Sequence, residues 1–209
     1  MIKAIIFDLD SCLCMANEVG DQLFAPAFDA IGTANRGTVP GATLQEAFAD
    51  CWRCSFAFVA NKYDFSEEMR TAGWRVLART EATERMQGYP DLAALWELPA
   101  QLFLVTTGFR RLQESKTKAL GFAPLFTAIH IDAIVQPGRQ GKHAIFAGIL
   151  KTHRLKPEEV FVVGDNPDSE IAAGNRLGMR TVQILRPGVP RGDNATHHIR
   201  SLVALKELL

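Results

Sequence analysis

The sequence predicts an α/β protein built on a doubly wound parallel sheet. Five short apolar runs recur along the 209-residue chain, and none alternates with polar residues as a strand with one solvated face does. These runs span residues 2–7, 102–106, 128–131, 160–163 and 181–185. Segments with helical periodicity separate the later four runs, and strands that alternate with helices form parallel sheets covered on both faces.

Three helices are predicted between the later strands. The apolar periodicity over residues 109–120 predicts the first, and Gly121 is a natural C-terminal stop for it. Apolar residues at helical spacing over 145–150 predict the second. Pro167 suits the first turn of a helix and opens the third.

The interval between the first two strands is too long for a single crossover. Roughly 90 residues separate these strands, whereas a βαβ crossover needs about 10–12. Three apolar stripes with helical spacing span residues 23–31, 44–52 and 69–77. The last follows Ser66, a good N-cap residue. We therefore expect helices throughout this interval, and we assign residues 1–14 and 93–209 to an α/β core and residues 15–92 to an α-helical insert.

The composition excludes several classes of protein. Hydrophobic residues make up 47% of the chain and charged residues 22%, as in soluble globular domains. Lys plus Arg equals Asp plus Glu at 23 each, so no net field attracts nucleic acid or an anionic membrane. No segment approaches the roughly 20 apolar residues that span a bilayer, and Asp8 interrupts the N-terminal run. We expect a cytoplasmic protein without nucleic-acid or membrane partners; the sequence does not indicate its oligomeric state.

The four cysteines form a C-x-C pair, Cys12 and Cys14, and a C-x-x-C pair, Cys51 and Cys54. Such pairs occur in zinc sites. However, Cys51 lies on an apolar helical stripe and Cys54 close to it, where a free thiol behaves as a small hydrophobe. We expect neither a zinc site nor a disulfide.

Polar side chains gather where the predicted strands end. Ligands bind outside the carboxyl ends of the strands in open α/β sheets, so these positions are candidates for a site. In strand order they are Asp8 and Asp10, then Thr106 and Thr107, then Lys142, then Gly164, Asp165, Asp168 and Glu170.

This set of residues indicates phosphoryl transfer. Crowded carboxylates repel one another, and a divalent cation relieves the repulsion. Ligands that are all oxygens suit Mg²⁺, which keeps some of its waters. A lysine, threonine hydroxyls and turn amides together bind phosphate. A metal, a phosphate and a free carboxylate are the components of a phosphoryl-transfer site.

The order of these pieces resembles the haloacid dehalogenase-like hydrolase superfamily. Its first motif, D-x-D-x-[TV] after an apolar strand, is similar to "DLDSC" at residues 8–12. Its second, a Thr or Ser ending the next strand, matches Thr106 in "LFLVTTGF", and its fourth matches Gly164-Asp165 with a following acid. The segment "FRRLQESKTKALGF" at 109–122 is similar to the helix that follows the second motif.

The resemblance covers the predicted core and implies roles for its residues. It implies a Rossmann-like core with a helical cap, in which Asp8 is the nucleophile and Asp10 the general acid and base. The implied metal ligands are the Asp8 carboxylate, the Asp10 backbone carbonyl and Asp165. Thr106 would bind a phosphoryl oxygen, with Thr107 beside it.

Two assignments stay open. The phosphate-binding lysine is Lys142, at the start of a helix where the family places it, or Lys116, whose stem would otherwise cover apolar surface. The further acid of the fourth motif, which would contact the metal ligands, is Glu170, which the spacing favours, or Asp168. One of these two acids would then only interact with a helix dipole.

The first motif departs from the family pattern at two positions. Ser11 replaces a frequent glycine, and Cys12 stands where Thr or Val is usual. Loss of the hydroxyl at residue 12 would remove one hydrogen bond beside the nucleophile, so we expect slow turnover.

The predicted function is a Mg²⁺-dependent phosphomonoesterase that forms an aspartyl-phosphate and acts on a small phosphorylated metabolite. The alternatives are a 2-haloacid dehalogenase, a phosphosugar mutase, and a non-catalytic phosphate-binding or phospho-accepting regulatory module. Four cationic residues of the insert could meet an anionic substrate, although positions on a helix surface are the favoured explanation: Arg53, Lys62, Arg70 and Arg75.

Overall fold

The fold is a six-stranded parallel sheet, seen in a computed structural model that describes residues 1–20, 22–52, 54–134 and 139–209. The strands are β1 (Ala4–Phe7), β2 (Gln101–Gly108), β3 (Phe126–Ala133), β4 (Val160–Gly164), β5 (Arg180–Ile184) and β6 (His197–Ile199). Their order across the sheet is β3-β2-β1-β4-β5-β6. The predicted fold class and five of the strands are confirmed, whereas the short β6 was not predicted.

Residues on the two faces of β1 belong to different apolar clusters. Ile5 and Phe7 pack into one cluster, and Ala4 and Ile6 pack into the other. Both faces are therefore covered, which explains why the strand is apolar at every position. In register, Phe7 pairs with Leu104 of β2 and Val163 of β4, so β1 lies between these two strands; β4 ends one residue beyond this register, whereas β2 continues to Gly108.

Among the described residues, four α-helices lie between β1 and β2: α1 (Ala25–Ala34), α2 (Gly41–Asp50), α3 (Phe56–Lys62) and α4 (Glu67–Leu77). The Ser66 hydroxyl accepts a hydrogen bond from the Met69 N–H, so the predicted cap of α4 is confirmed. The sequence did not predict α3. Helices do not fill the whole interval, because residues 78–91 form an irregular segment that returns to the sheet.

The return segment is fixed by contacts with the sheet. Met86 is buried in the same apolar cluster as Ile5 and Phe7, and the Tyr89 N–H donates to the Leu13 carbonyl. These tertiary contacts replace the hydrogen bonds that a helix would supply. The division of the chain at residues 14/15 and 92/93 stays a prediction.

Three helices flank the sheet after β2: α5 (Arg110–Leu120), α6 (Gly141–His153) and α7 (Ala172–Arg176). Gly121 follows α5 with φ of +75°, the left-handed conformation expected of a glycine stop. A wider helical turn, Pro167–Ile171, precedes α7, so the third predicted helix begins at Pro167 as expected. No helix in the described ranges has the length and apolar character needed to cross a bilayer.

Arg186, just after β5, joins three parts of the chain. Its guanidinium donates to both oxygens of Asp91, at 2.8 and 2.9 Å, and twice to the Cys12 carbonyl, at 2.8 and 3.1 Å. It also lies 4.0 Å from the centre of the Tyr89 ring. Asp91 accepts in turn from the Leu202 N–H at 2.8 Å. The loop that follows β1 is thereby held against the return segment.

We expect Arg186→Met to lower the free energy of unfolding by about 1–3 kcal/mol, because the partly buried Asp91 carboxylate and the carbonyl of the buried Cys12 lose their hydrogen-bond donor. Urea unfolding followed by circular dichroism measures the change. Arg180→Met, at an exposed arginine on β5, is the matched control. Equal stability of the two variants would contradict the prediction.

Candidate active site

Lys142 forms a bridge between two buried carboxylates. Its Nζ lies 2.8 Å from Asp8 Oδ1 and 2.8 Å from Glu170 Oε2. The exposed fractions of the Lys142, Asp8 and Glu170 side chains are 7%, 10% and 1%, so little water screens these charges. The end of β1, the first turn of α6 and the Pro167–Ile171 turn are thus joined at one ammonium group.

Backbone groups after β4 place the acidic residues. The Asn166 N–H donates to Glu170 Oε1 at 2.6 Å, and the buried Gln183 amide donates to the Asp165 carbonyl at 2.8 Å. A Cβ at Gly164 would lie 2.3 Å from Glu170 Cγ, so only glycine admits this side chain. The glycine of the G-D motif is therefore required by the packing of Glu170.

Asp8, Asp165 and Glu170 form a compact acidic cluster. Ligand oxygens from the three residues lie within 4.8 Å of one another. Burial raises the pKa of Asp165 to about 8, with further increases from Glu170 and Asp8. Burial also raises the pKa of Asp8 to about 7, against the opposing effect of Lys142. Three carboxylates and one ammonium leave two negative charges, and all the donor atoms are oxygens, so the cluster fits a divalent cation such as Mg²⁺.

The same charges keep Lys142 protonated. Burial disfavours its charged form, but the carboxylates of Asp8 and Glu170 outweigh burial and raise the pKa of Lys142. A permanently cationic group next to Asp8 is suited to binding an anion.

The side chain of Asp10 contacts different residues from that of Asp8. Lys116 Nζ, on α5, contacts Asp10 Oδ1 at 2.7 Å, and Gln113 Nε2 donates to Asp10 Oδ2 at 3.0 Å. Lys116 is 3% exposed. The Lys116 ammonium is therefore buried in an ion pair, a contact that the sequence did not predict. Of the two candidate lysines, Lys142 contacts Asp8 and Lys116 contacts Asp10.

The two threonines at the end of β2 have different surroundings. Thr106 is buried at 1% exposure. The Thr107 hydroxyl donates to Asp132 Oδ2 at 3.2 Å, and Arg139 pairs with the same oxygen. The Thr107 side chain is thus engaged with β3.

Asp168 lies outside the acidic cluster. It is exposed, and its N–H donates to the Asn166 side chain. Asp168 and Glu170 therefore differ in position: only Glu170 reaches Lys142.

Ser11 adopts a backbone conformation that favours glycine. Its φ is +56°, in the left-handed region, which costs an L-residue about 1–2 kcal/mol. This explains why a glycine is frequent at this position of the motif. Cys12 is buried, and its Sγ lies 3.7 Å from the Val163 carbonyl, the type of contact that a hydroxyl would make more strongly.

The other cysteines and two of the four predicted cations of the insert have structural contacts, whereas Arg75 is exposed. Cys14 belongs to the apolar cluster that contains Ile5 and Phe7, and Cys51 and Cys54 pack among the insert helices. Lys62 pairs with Asp50, and Arg70 donates to the Ala60 and Phe65 carbonyls, so these groups stabilise the insert. Arg53 lies outside the described residues.

Sequence reasoning missed Gln113 and Gln183. Both amides are buried, and both reach the backbone or side chain of a strand-end acid. A signal was present for Gln113: it lies one helical turn before Lys116, so the two side chains share a face of α5.

Comparison with known proteins assigns the family. A profile of the haloacid dehalogenase-like hydrolases matches residues 2–178. The chain belongs to the haloacid dehalogenase-like hydrolases. It is 26% identical over 201 residues to the glyceraldehyde 3-phosphate phosphatase of Methanopyrus kandleri, and the match covers 89% of this chain and 85% of the relative. The protein is therefore an enzyme of this hydrolase family.

Solved structures of haloacid dehalogenase-like hydrolases share the fold. The HAD phosphatase from Thermococcus onnurineus has a TM-score of 0.66 at 20% identity, covering 99% of this chain and 97% of that one. The 2-haloacid dehalogenase from Pseudomonas syringae pv. Tomato DC3000 has a TM-score of 0.61 at 21% identity, covering 100% and 98%. The common fold carries both activities, so the site must distinguish them.

We expect the stability of the cation-free protein to fall as pH rises from about 4 to about 8. The pKa values of Asp8 and Asp165 are raised in the folded state to about 7 and about 8, so over this interval the folded form binds more protons than the unfolded form. The contribution of Asp8 and Asp165 to the free energy of unfolding is largest below their pKa in the unfolded chain, and it is lost as pH rises to their pKa values in the folded protein. Thermal unfolding in EDTA across this range measures the slope.

Asp165→Asn should flatten that slope, whereas Asp168→Asn, outside the cluster, should leave it unchanged. A wild-type stability that rises steadily from pH 4 to pH 8 would contradict the prediction.

Proposed function

We propose that this enzyme is a Mg²⁺-dependent phosphomonoesterase that acts through an aspartyl-phosphate on Asp8. The observation that carries the proposal is the placement of Asp8 beside Lys142, at 2.8 Å, within a cluster that includes Asp165 and Glu170. A nucleophile, a fixed cation and two further acids at one point are what phosphoryl transfer requires.

The residues that would hold Mg²⁺ are the Asp8 and Asp165 carboxylates and the Asp10 backbone carbonyl, with Glu170 supporting them through Lys142. When bound, the cation supplies positive charge that offsets the charge of the phosphoryl oxygens. Lys142 would supply a second positive charge, and Thr106 would donate its hydroxyl to the phosphoryl group.

The first step forms a covalent intermediate. A carboxylate oxygen of Asp8 attacks phosphorus, and the bond between phosphorus and the ester oxygen breaks. The protonated Asp10 carboxyl transfers its proton to the leaving oxygen, so the alcohol departs neutral.

The second step releases phosphate. The Asp10 carboxylate takes a proton from water while the water oxygen attacks phosphorus, and the bond from Asp8 to phosphorus breaks. Inorganic phosphate leaves, Asp8 is ionised again, and Asp10 carries the proton for the next cycle.

The proposed substrate is a small phosphorylated metabolite. The relative from Methanopyrus kandleri is named for a triose phosphate, which supports a substrate of that size. We propose that the helices of residues 15–92 form a cap that closes over the site, excludes water and selects among such substrates.

The structure also bears on the alternatives. Dehalogenation by an aspartate needs no metal, and it leaves the acidic cluster of Asp8, Asp165 and Glu170 without a purpose. The cluster therefore favours phosphoryl transfer. A phosphosugar mutase would pass the phosphoryl group to a sugar hydroxyl instead of water, and a non-catalytic module would show no turnover. Release of inorganic phosphate from a panel of phosphorylated metabolites separates the phosphomonoesterase from both, and formation of an isomeric sugar phosphate separates the mutase from the module.

Removal of divalent cations should abolish turnover. With EDTA, hydrolysis of an aryl phosphate should fall to background, and Mg²⁺ should restore it, because the acidic cluster needs a counter-charge to bind a phosphate dianion. Phosphate release measured before and after addition of Mg²⁺ gives the answer. Undiminished phosphate release in EDTA would contradict metal dependence, whereas halide release from a 2-haloacid in EDTA, without phosphate release from any phosphate ester, would favour the dehalogenase.

The two aspartates of the first motif should differ in their effects. Asp8→Asn should reduce turnover to background on every substrate, since no covalent intermediate can form. Asp10→Asn should lower alkyl phosphate hydrolysis by about 10²–10⁴-fold, the usual contribution of an acid–base group. Asp10→Asn should harm an activated aryl phosphate less in the first step, so the aspartyl-phosphate should accumulate and be detected by mass spectrometry.

Asp168→Asn is the matched control for both variants and should retain wild-type rates, because this carboxylate is exposed and outside the cluster. Wild-type turnover in Asp8→Asn would disprove the mechanism. Equal losses in Asp10→Asn for every leaving group would remove Asp10 from the acid–base role.

A further inference from the structure

Both carboxylate oxygens of Asp10 are held by one helix. Lys116 contacts Oδ1 at 2.7 Å and Gln113 donates to Oδ2 at 3.0 Å. The two side chains leave α5 three residues apart, so they lie on the same face of the helix. Asp10 itself is 26% exposed, whereas Lys116 and Gln113 are 3% and 4% exposed. Two buried side chains therefore fix a carboxylate that remains open to the site.

Gln113 is costly to bury. Its Oε1 is buried and has no hydrogen-bond partner among the described residues. An unpaired buried polar atom costs about 1–3 kcal/mol, and an apolar side chain would avoid this cost. Packing alone does not account for the amide. The hydrogen bonds of the amide are made by its Nε2, which donates to Asp10 and also to the Thr107 carbonyl at 3.1 Å.

Gly108 makes room for the Gln113 side chain. A Cβ on Gly108 would lie 2.5 Å from Gln113 Nε2, which no ordinary packing permits. The end of β2 is therefore shaped so that this amide can cross the backbone and reach Asp10.

Lys116 also contacts the start of the insert. Its Nζ lies 3.4 Å from the Ala16 carbonyl as well as 2.7 Å from Asp10. The ammonium thus holds the first motif and the first residues of the connection to α1 together.

We propose that Gln113 and Lys116 are positioning residues for Asp10, which fix its carboxyl group at the orientation needed to give a proton to the leaving oxygen and, once ionised, to take one from water. This inference rests on the proposed function of Asp10. Neither side chain touches substrate; each acts through the carboxylate that it holds. A carboxylate free to rotate would spend less time within hydrogen-bond reach of the ester oxygen.

Gln113→Leu and Lys116→Met test the proposal, with Mg²⁺ present. On an alkyl phosphate, each should lower kcat by about 10–100-fold, less than the loss of the whole acid–base group. Lys116→Arg should recover part of the rate, since a cation still reaches Asp10. Lys118→Met, at an exposed lysine on the same helix, is the control and should match the wild type.

Burst kinetics on an activated aryl phosphate separate positioning from folding. The amplitude of the burst counts competent sites, so a variant that merely misfolds loses amplitude. If the proposal holds, the amplitude stays near one per chain while the steady-state rate falls, because dephosphorylation needs a placed Asp10. Gln113→Leu should also keep the wild-type melting temperature, since it removes the unpaired amide oxygen. Lost amplitude in both variants would overturn the proposal.

The decisive measurement repeats both substitutions in an Asp10→Asn background. Residues that act only through Asp10 should there change the burst and steady-state rates by less than twofold. Full, independent losses in that background would overturn the proposal, as would wild-type alkyl phosphate turnover in the single variants. Failure of the proposed function is distinct, because it would appear as a normal burst in Asp8→Asn.

Discussion

Lys142 places one positive charge between the buried carboxylates of Asp8 and Glu170, which come from opposite ends of the chain. Without it, three acids would face one another in a region that water hardly reaches. The ammonium reduces the excess to two negative charges, an amount that a divalent cation can balance. It also joins β1, α6 and the turn before α7, so the geometry of the site and the packing of the sheet depend on the same contact.

Most of the core could be predicted because β1 and β4 are apolar at every position, β2 and β3 contain apolar runs, and the flanking helices are periodic. The signals failed where tertiary contacts decide the structure. The short β6 contains two histidines and lacks an apolar run, so pairing with β5 creates it. Residues 78–91 leave the helical pattern because Met86 and Tyr89 gain contacts with the sheet that a helix would forgo.

The sequence alone predicts that Asp8, Asp165, Glu170 and Lys142 lie close together, because parallel strands present their carboxyl ends at one edge of the sheet. It did not identify Gln113 or Arg186, and Lys116 was predicted only as an alternative phosphate-binding lysine, not as the partner of Asp10. These side chains contact the first-motif loop across about 100 residues of sequence or more, and the shared helix face of Gln113 and Lys116 does not by itself indicate which residue they contact. The contacts of such long polar side chains can be assigned only from the three-dimensional structure, which shows the residues that they reach.

The position of β1 at the centre of the sheet has a consequence for synthesis. Its partners begin only at Gln101 and Val160, so the emerged segment Ala4–Phe7 has no native pairing for on the order of 5–20 s at the usual about 5–20 residues per second. A bare strand of this composition invites association between chains. Asp8 and Asp10 stand directly after it, and Lys3 directly before it. Charges that flank an apolar strand oppose its association with other chains. The acids of the first motif therefore reduce aggregation of the nascent chain before the active site has formed.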